Sequence, residues 1–263
     1  MRKLDLQEIK DIEVEILDYI NEICKVNNLK FFLDSGTLLG AVRHKGFIPW
    51  DDDIDIIMPR QDYEKLITIM EKKEHERFQI KTWSNTNTYN YSYSKIVDTS
   101  TKLIELDENG CDGYGVFVDV FPLDGLPNNI KKRRRHQYIA NKIGNIIWYS
   151  LKDIKKEKGI GKLKAICGKL IGHKRVLRIR DNYIKKYSII NTQYGMNMVA
   201  SFDIYREVEK TVFEDSINIE FEGKMYPAPK GYKRYLTILY GDYMKLPPED
   251  QRISNHNFIA YHK

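Results

Sequence analysis

Residues 50–58 read Trp50-Asp51-Asp52-Asp53-Ile54-Asp55-Ile56-Ile57-Met58, four carboxylates running straight into an aliphatic stretch that Pro59 ends. The spacing predicts a strand over Asp53–Met58. Alternate side chains of a strand share a face, so Asp53 and Asp55 stand together while Ile54 and Ile56 point to a buried side. Two neighbouring carboxylates repel and raise each other's pKa. A bound divalent cation resolves that conflict, and hard oxygen ligands suit Mg²⁺ or Mn²⁺. An acidic strand edge is the plainer alternative. Any fold for this chain must build a sheet around this segment.

A second acid stands in a similar setting. Val116-Phe117-Val118-Asp119-Val120-Phe121 puts Asp119 inside an apolar strand, and a lone acid among aliphatics needs a partner. It is either one end of a structural salt bridge or a third carboxylate completing the metal site. Asp124, in Pro122-Leu123-Asp124-Gly125, reads as a turn former. Upstream, Ser35-Gly36-Thr37 opens a helix directly after a short strand. Free backbone N–H groups and the helix dipole there favour an anion, and Gly36 lets a phosphate approach the backbone.

Apolar residues at steps of three and four predict a helix from Leu6 to Val26. A strand at Phe31–Leu33 follows, with Asp34-Ser35-Gly36-Thr37 capping a helix over Thr37–Arg43. A helix is expected at Arg60–Lys72, and strands at Phe78–Trp83, Ser92–Val97, Lys102–Leu106 and Val116–Phe121. Residues 129–187 read as helices broken at Gly159, Gly161, Gly168 and Gly172, and a last helix falls at Gly231–Leu239. The expectation is an α+β fold: a catalytic core over residues 1–127, a basic helical insert over 128–191, and a part completing the catalytic domain over 192–263.

Charge supports that division. The 263-residue chain carries a formal net charge of +6, yet residues 131–186 hold 19 Lys or Arg against three acids, leaving the remainder at −10. A basic segment on an acidic body attracts anions: lipid headgroups, nucleic acid or a phosphate-rich polymer. A solvated helical surface is the plainer reading. The run from Lys131 to Arg135 is weak evidence for nucleic acid, because no zinc-finger, RRM or KH signature accompanies it. No apolar stretch approaches the length of a membrane span, and the first residues lack a signal-peptide core. With Cys24, Cys111 and Cys167 widely spaced, the expected compartment is the cytoplasm.

Residues 34–43 (DSGTLLGAVR) and 46–56 (GFIPWDDDIDI) resemble the LicD family of phosphocholine transferases, which includes fukutin-related proteins. Residues 116–127 (VFVDVFPLDGLP) and 235–252 (YLTILYGDYMKLPPEDQR) are similar to later blocks of that family. The family belongs to the nucleotidyltransferase superfamily, whose pattern is a Gly-Ser turn, an acid-x-acid strand and a third acid on a neighbouring strand. Here the turn reads Ser35-Gly36, in reversed order, and the gap to Asp53 is longer.

The resemblance implies a nucleotidyltransferase-like mixed sheet with flanking helices. It implies transfer of phosphocholine from CDP-choline to a sugar hydroxyl of a cell-surface glycan, of teichoic acid, capsule or lipopolysaccharide type, with CMP leaving. Asp53 and Asp55 would then hold Mg²⁺, and Asp119 would complete the site and take the acceptor's proton. Ser35, Gly36, Thr37, Arg43 and Lys95 would cradle phosphate oxygens. Choline favours an aromatic cage, with Trp50, Trp83, Tyr89, Tyr91 and Tyr93 as candidates. His256, near the end of the last block, is a candidate catalytic residue; the other histidines show no ligand spacing. Another CDP-linked alcohol phosphate (ribitol, glycerol or ethanolamine), a nucleic-acid-directed nucleotidyltransferase and a catalytically dead scaffold are the rival readings. The expected partners are the CDP-alcohol, a glycan acceptor that includes lipid-linked forms, and an anionic inner-membrane surface.

Overall fold

The computed structural model describes residues 1–73, 75–105, 114–199, 206–253 and 258–263. The N-terminal part runs β1 (Arg2–Lys3), α1 (Leu6–Asn27), β2 (Phe32–Leu33), α2 (Ser35–His44), β3 (Asp55–Pro59) and α3 (Arg60–Lys72). Four strands follow, β4 (Phe78–Lys81), β5 (Ser94–Asp98), β6 (Thr101–Glu105) and β7 (Phe117–Leu126), then three helices, α4 (Ile130–Ser150), α5 (Gly159–Ile171) and α6 (His173–Ile184). The chain closes with β8 (Tyr194–Asn197), β9 (Val208–Glu209), β10 (Ser216–Phe221), β11 (Lys224–Pro229), α7 (Tyr232–Tyr240) and β12 (Phe258–His262).

The main sheet is ordered β2-β3-β7-β5-β4, and β8 and β9 extend it beside the second half of β7. β3 and β7 pair in parallel, whereas the neighbouring pairs are antiparallel. This is the mixed α+β core expected from the sequence. α1 starts at a capping box: Glu8 N–H donates to Asp5, and Asp5 N–H donates back to the Glu8 carboxylate. Its buried face, with Ile16, Leu17 and Ile20, packs in one core with Leu33, Ile56, Ile57 and Val118. Each such aliphatic contributes about 1.5–3 kcal/mol on burial.

Several local expectations are corrected. Pro122-Leu123-Asp124-Gly125 is no turn: β7 continues to Leu126, pairing with β3 through Leu123 and with β8 from Leu123 onward. Asp124 is therefore buried, where it receives two hydrogen bonds from Arg60, at 2.7 and 2.8 Å. Gly161 and Gly168 lie inside α5 and do not break it. A Cβ at Gly168 would come within 2.6 Å of Ser150 Cβ, so this glycine lets α5 close against α4. α2 begins at Ser35, and the Asp34 side chain makes no cap bond there; it accepts instead from Tyr235 Oη at 2.6 Å.

The helical layer is tied to the core by cations turned inward. Arg180 donates to the carbonyls of Met198, at 2.7 Å, and Val199, at 3.2 Å. Lys174 Nζ donates to the carbonyls of Trp83, Thr86 and Tyr89 at 2.6–2.8 Å. Arg133, from the basic run, is buried against Glu207 and the carbonyls of Pro127 and Asn128. Arg60 reaches across to Asp181 of α6 at 3.3 Å while holding Asp124. Part of the positive charge thus serves packing.

Two outcomes follow. Arg60→Met leaves Asp124 buried without its partner and should cost about 3–5 kcal/mol in urea denaturation. His136 stacks on Tyr183 at 4.6 Å, and burial, then Lys186, pushes its pKa down to about 4. The unfolded chain therefore takes up a proton between pH 6.5 and 4 that the folded chain refuses, so stability falls as pH falls through that window. Denaturation at pH 7 and pH 5 should differ by roughly 2 kcal/mol more for the wild type than for His136→Phe.

Candidate active site

The site is a row across three strands. Asp55 is the register partner of Asp119 in the parallel β3–β7 pair, and Lys95 is the partner of Asp119 on the other side, in β5. Directly opposed residues share a face, so one row carries acid, acid and cation. Lys95 Nζ donates to Asp119 Oδ1 at 2.8 Å, and both side chains are buried. Asp53, just ahead of β3, joins them: carboxylate oxygens of Asp53, Asp55 and Asp119 lie within 4.8 Å of one another. Asp51, Asp52 and Asp53 form a second such group. Burial, then Asp53 and Asp119, hold the Asp55 pKa well above the carboxylate range.

The loop before β3 and the first turn of α2 frame this row. Asp55 N–H donates to Thr37 Oγ1 at 2.8 Å, and Asp34 N–H donates to the Asp55 carbonyl at 2.9 Å. Thr37 thus fixes the start of the acidic strand. Ser35 sits at φ 45°, a left-handed conformation uncommon outside glycine. A Cβ at Gly36 would stand 2.5 Å from Asp51 Oδ2, so the missing side chain makes room for that carboxylate.

In front of the row lies a cavity of about 660 Å³, lined by Ser35, Gly36, Arg43, Trp50 and the acids Asp51, Asp53 and Asp55. Its far wall comes from the C-terminal block: Tyr240, Asp242, Tyr243, Lys245 and Gln251. Arg43 Nη1 donates to the Tyr243 carbonyl at 3.1 Å, joining the two walls. The Arg252 guanidinium lies over the Trp50 ring, 5.7 Å from its centroid. Partial burial, then Asp55, Asp34 and Asp51, push the Tyr240 phenol up.

The structure brings together Ser35, Gly36, Thr37, Arg43, Trp50, Asp53, Asp55, Asp119 and Lys95, and His256 lies outside the described residues. The candidates Tyr89, Tyr91 and Tyr93 are not among the residues that line this cavity. Tyr91 and Tyr93 flank Lys95, their ring centroids 5.0 and 5.5 Å from its ammonium, and Phe117 lies 3.2 Å from it. Those rings surround the protein's own cation. Trp83 packs among Ile147, Val176 and Leu177 of the helical layer.

One acid, Glu13, escaped the sequence reading, and Asp34 was given a different role there. Glu13 of α1 is buried, and its Oε2 has no hydrogen-bond partner among the described residues. Burial, then Asp53, Asp52 and Asp119, raise its pKa well above the ordinary range, so α1 adds a carboxyl that resists ionisation beside the row. The signal was present: Glu13 interrupts the apolar face that Ile9, Ile16, Leu17 and Ile20 define. Asp34 is fully buried with Tyr235 as partner, a pairing 201 residues apart that no local pattern announces.

An acid pair at the mouth of one strand, a third acid opposite it on the adjoining parallel strand and a small-residue helix start in front define a nucleotidyltransferase-type core. Comparison with known proteins agrees. Residues 28–139 match the family described as LicD/FKTN/FKRP, nucleotidyltransferase domain. A Haemophilus influenzae protein named lipopolysaccharide cholinephosphotransferase LicD is 33% identical over 99% of this chain and 99% of its own. Short stretches are also similar to uncharacterized Rickettsia proteins: 43% identity over 23% of each chain in R. prowazekii, and 48% over 18% of this chain and 16% of the relative in R. typhi. The chain belongs to the LicD family and is a transferase of that family.

Thr37→Val keeps the side-chain shape and leaves the Asp55 N–H without its acceptor. It should lower stability by about 1–3 kcal/mol in chemical denaturation. A loss below about 0.5 kcal/mol would mean that this bond does not hold the strand.

Proposed function

We propose that this protein transfers phosphocholine from CDP-choline to a sugar hydroxyl of a cell-surface glycan, of lipopolysaccharide, teichoic acid or capsule type, and releases CMP. The observation that carries the reading is the Asp53–Asp55–Asp119 group, of which Asp53 and Asp55 line a cavity with an aromatic wall. A relative matched along its whole length and named for cholinephosphate transfer supports it. The acceptor oxygen attacks the phosphorus that bears choline, the bond to the CMP oxygen breaks, and the hydroxyl proton passes to a carboxylate.

Three converging carboxylates with mutual repulsion are a hard-oxygen donor set that fits Mg²⁺ or Mn²⁺. Asp53, Asp55 and Asp119 would hold the ion, whose charge offsets that of the diphosphate. Asp119 accepts the proton, and Lys95 orients it through the 2.8 Å bond. Lys95 acts on phosphate only through Asp119, because its ammonium is already enclosed by Phe117, Tyr91 and Tyr93. Backbone amides at Ser35 and Gly36 and the Arg43 guanidinium are assigned to phosphate oxygens, with Lys245 on the opposite wall. Trp50, Tyr240 and Tyr243, beside Asp51 and Asp242, suit a quaternary ammonium. No helix among the described residues is long and apolar enough to cross a membrane. We place the enzyme in the cytoplasm, at the inner membrane surface, where a lipid-linked glycan presents its hydroxyl.

The test is CMP release from CDP-choline, CDP-ribitol, CDP-glycerol and CDP-ethanolamine, each with Mg²⁺ and a glycan acceptor. CDP-choline should turn over best, and EDTA should stop the reaction. Asp53→Ala and Asp119→Asn should each lose at least ~100-fold in rate while remaining folded. A different preferred donor moves the headgroup assignment, and near-normal turnover in either variant removes the metal reading.

A further inference from the structure

The outer face of α5 is unlike the rest of the surface. α5, sequence GIGKLKAICGKLI, buries Ala165 and Gly168 against its neighbours and turns the opposite side outward. On that side Ile160 is 73% exposed, Leu163 61%, Leu170 80% and Ile171 39%. Positions 160, 163, 167, 170 and 171 fall on one stripe of a 3.6-residue helix, and Cys167 between them is half-buried. Lysines border the stripe: Lys164 on one side, Lys162 and Lys169 on the other, and no acid occurs in the helix. At the adjoining end of α4, Trp148 is 44% exposed with Lys152 Nζ 4.5 Å from its ring centroid. A soluble surface seldom leaves four large aliphatics in line.

We propose that α5 lies flat in the interface of an anionic bilayer, its apolar stripe among the acyl chains and its lysines on the lipid phosphates. The site is built from one helix and does not depend on catalysis, although it would hold the enzyme where the proposed acceptor resides. The helix of 13 residues is about 20 Å long, short of the ~30 Å of a bilayer core. An in-plane seat is therefore the one membrane geometry open to it. An apolar stripe between cationic flanks is the pattern of interfacial helices, and Trp148 with its neighbouring lysine suits the headgroup level. Charge also selects the occupant. Two copies meeting through this patch by two-fold symmetry would set lysine rim against lysine rim, whereas anionic lipid complements it. The binding edge is thus α5 rather than the Lys131–Arg135 run, in which Arg133 is buried and Arg134 pairs with Glu207 at 2.8 Å.

The test is sedimentation of the full chain with vesicles of phosphatidylcholine alone or mixed equally with phosphatidylglycerol, without donor or acceptor. Wild type should pellet with the mixed vesicles only. Leu163→Gln with Leu170→Gln should weaken that binding at least tenfold, Leu170→Gln alone by less, and Lys131→Gln with Lys132→Gln least of all. The variants should keep the wild-type circular dichroism spectrum and CMP release with a water-soluble acceptor. Equal pelleting of the leucine variants, or no pelleting of wild type, overturns the proposal. So does a wild-type dimer in light scattering that the leucine pair dissociates while lipid binding is absent. Loss of CMP release with pelleting intact would count against the catalytic reading alone.

Discussion

Everything at the site depends on the parallel pairing of β3 with β7, which sets Asp55 directly against Asp119. Two carboxylates in register on adjoining strands are a standing repulsion, and Asp53 adds a third. The fold offsets it from one side with Lys95, held in place by the antiparallel β5–β7 register and ringed by Phe117, Tyr91 and Tyr93. Glu13 of α1, buried beside the same acids, has its pKa raised by that burial and by Asp53, Asp52 and Asp119. Hydrogen bonds from the Asp55 and Asp34 backbone N–H groups then lock the acidic strand to the first turn of α2. The chemistry and the strain of the site come from the same few contacts.

The helical layer is part of the same construction. Arg60, at the end of the acidic strand, binds Asp124 on β7 and Asp181 on α6 in one span. Arg180 and Lys174 donate to backbone carbonyls of the core's loops. A charged group can be buried only when its partners are supplied, so each of these cations specifies one seating of the helices. The positive charge left outside concentrates around α4 and α5, where apolar residues are also left outside. Inward cations serve the fold, and outward ones define its surface.

The acidic strand and its third carboxylate were legible in the sequence, because period-two alternation puts an acid among aliphatics wherever a buried strand meets a polar site. Asp53, Asp55 and Asp119 could be named from that pattern, as could the helices from Leu6 and from Arg60, whose apolar steps are local. Local rules misplaced Asp124: Pro-Leu-Asp-Gly has turn chemistry, and only two strands pairing with β7 make it continue. Gly168 was misread for the same reason, since its role is set by Ser150 on another helix.

By itself the sequence determined the strand-borne acids, the helix faces, the small-residue turn and the uneven charge, all properties carried within a few residues of chain. Tertiary structure alone decided that Lys95 lies against Asp119, since register is a relation between strands. It alone gave Asp34 its partner in Tyr235 and brought Tyr240, Tyr243 and Lys245 to face Trp50, across nearly 200 residues of chain. It also decided which of the basic helices' cations face inward, because burial depends on what packs against a residue and not on the residue itself.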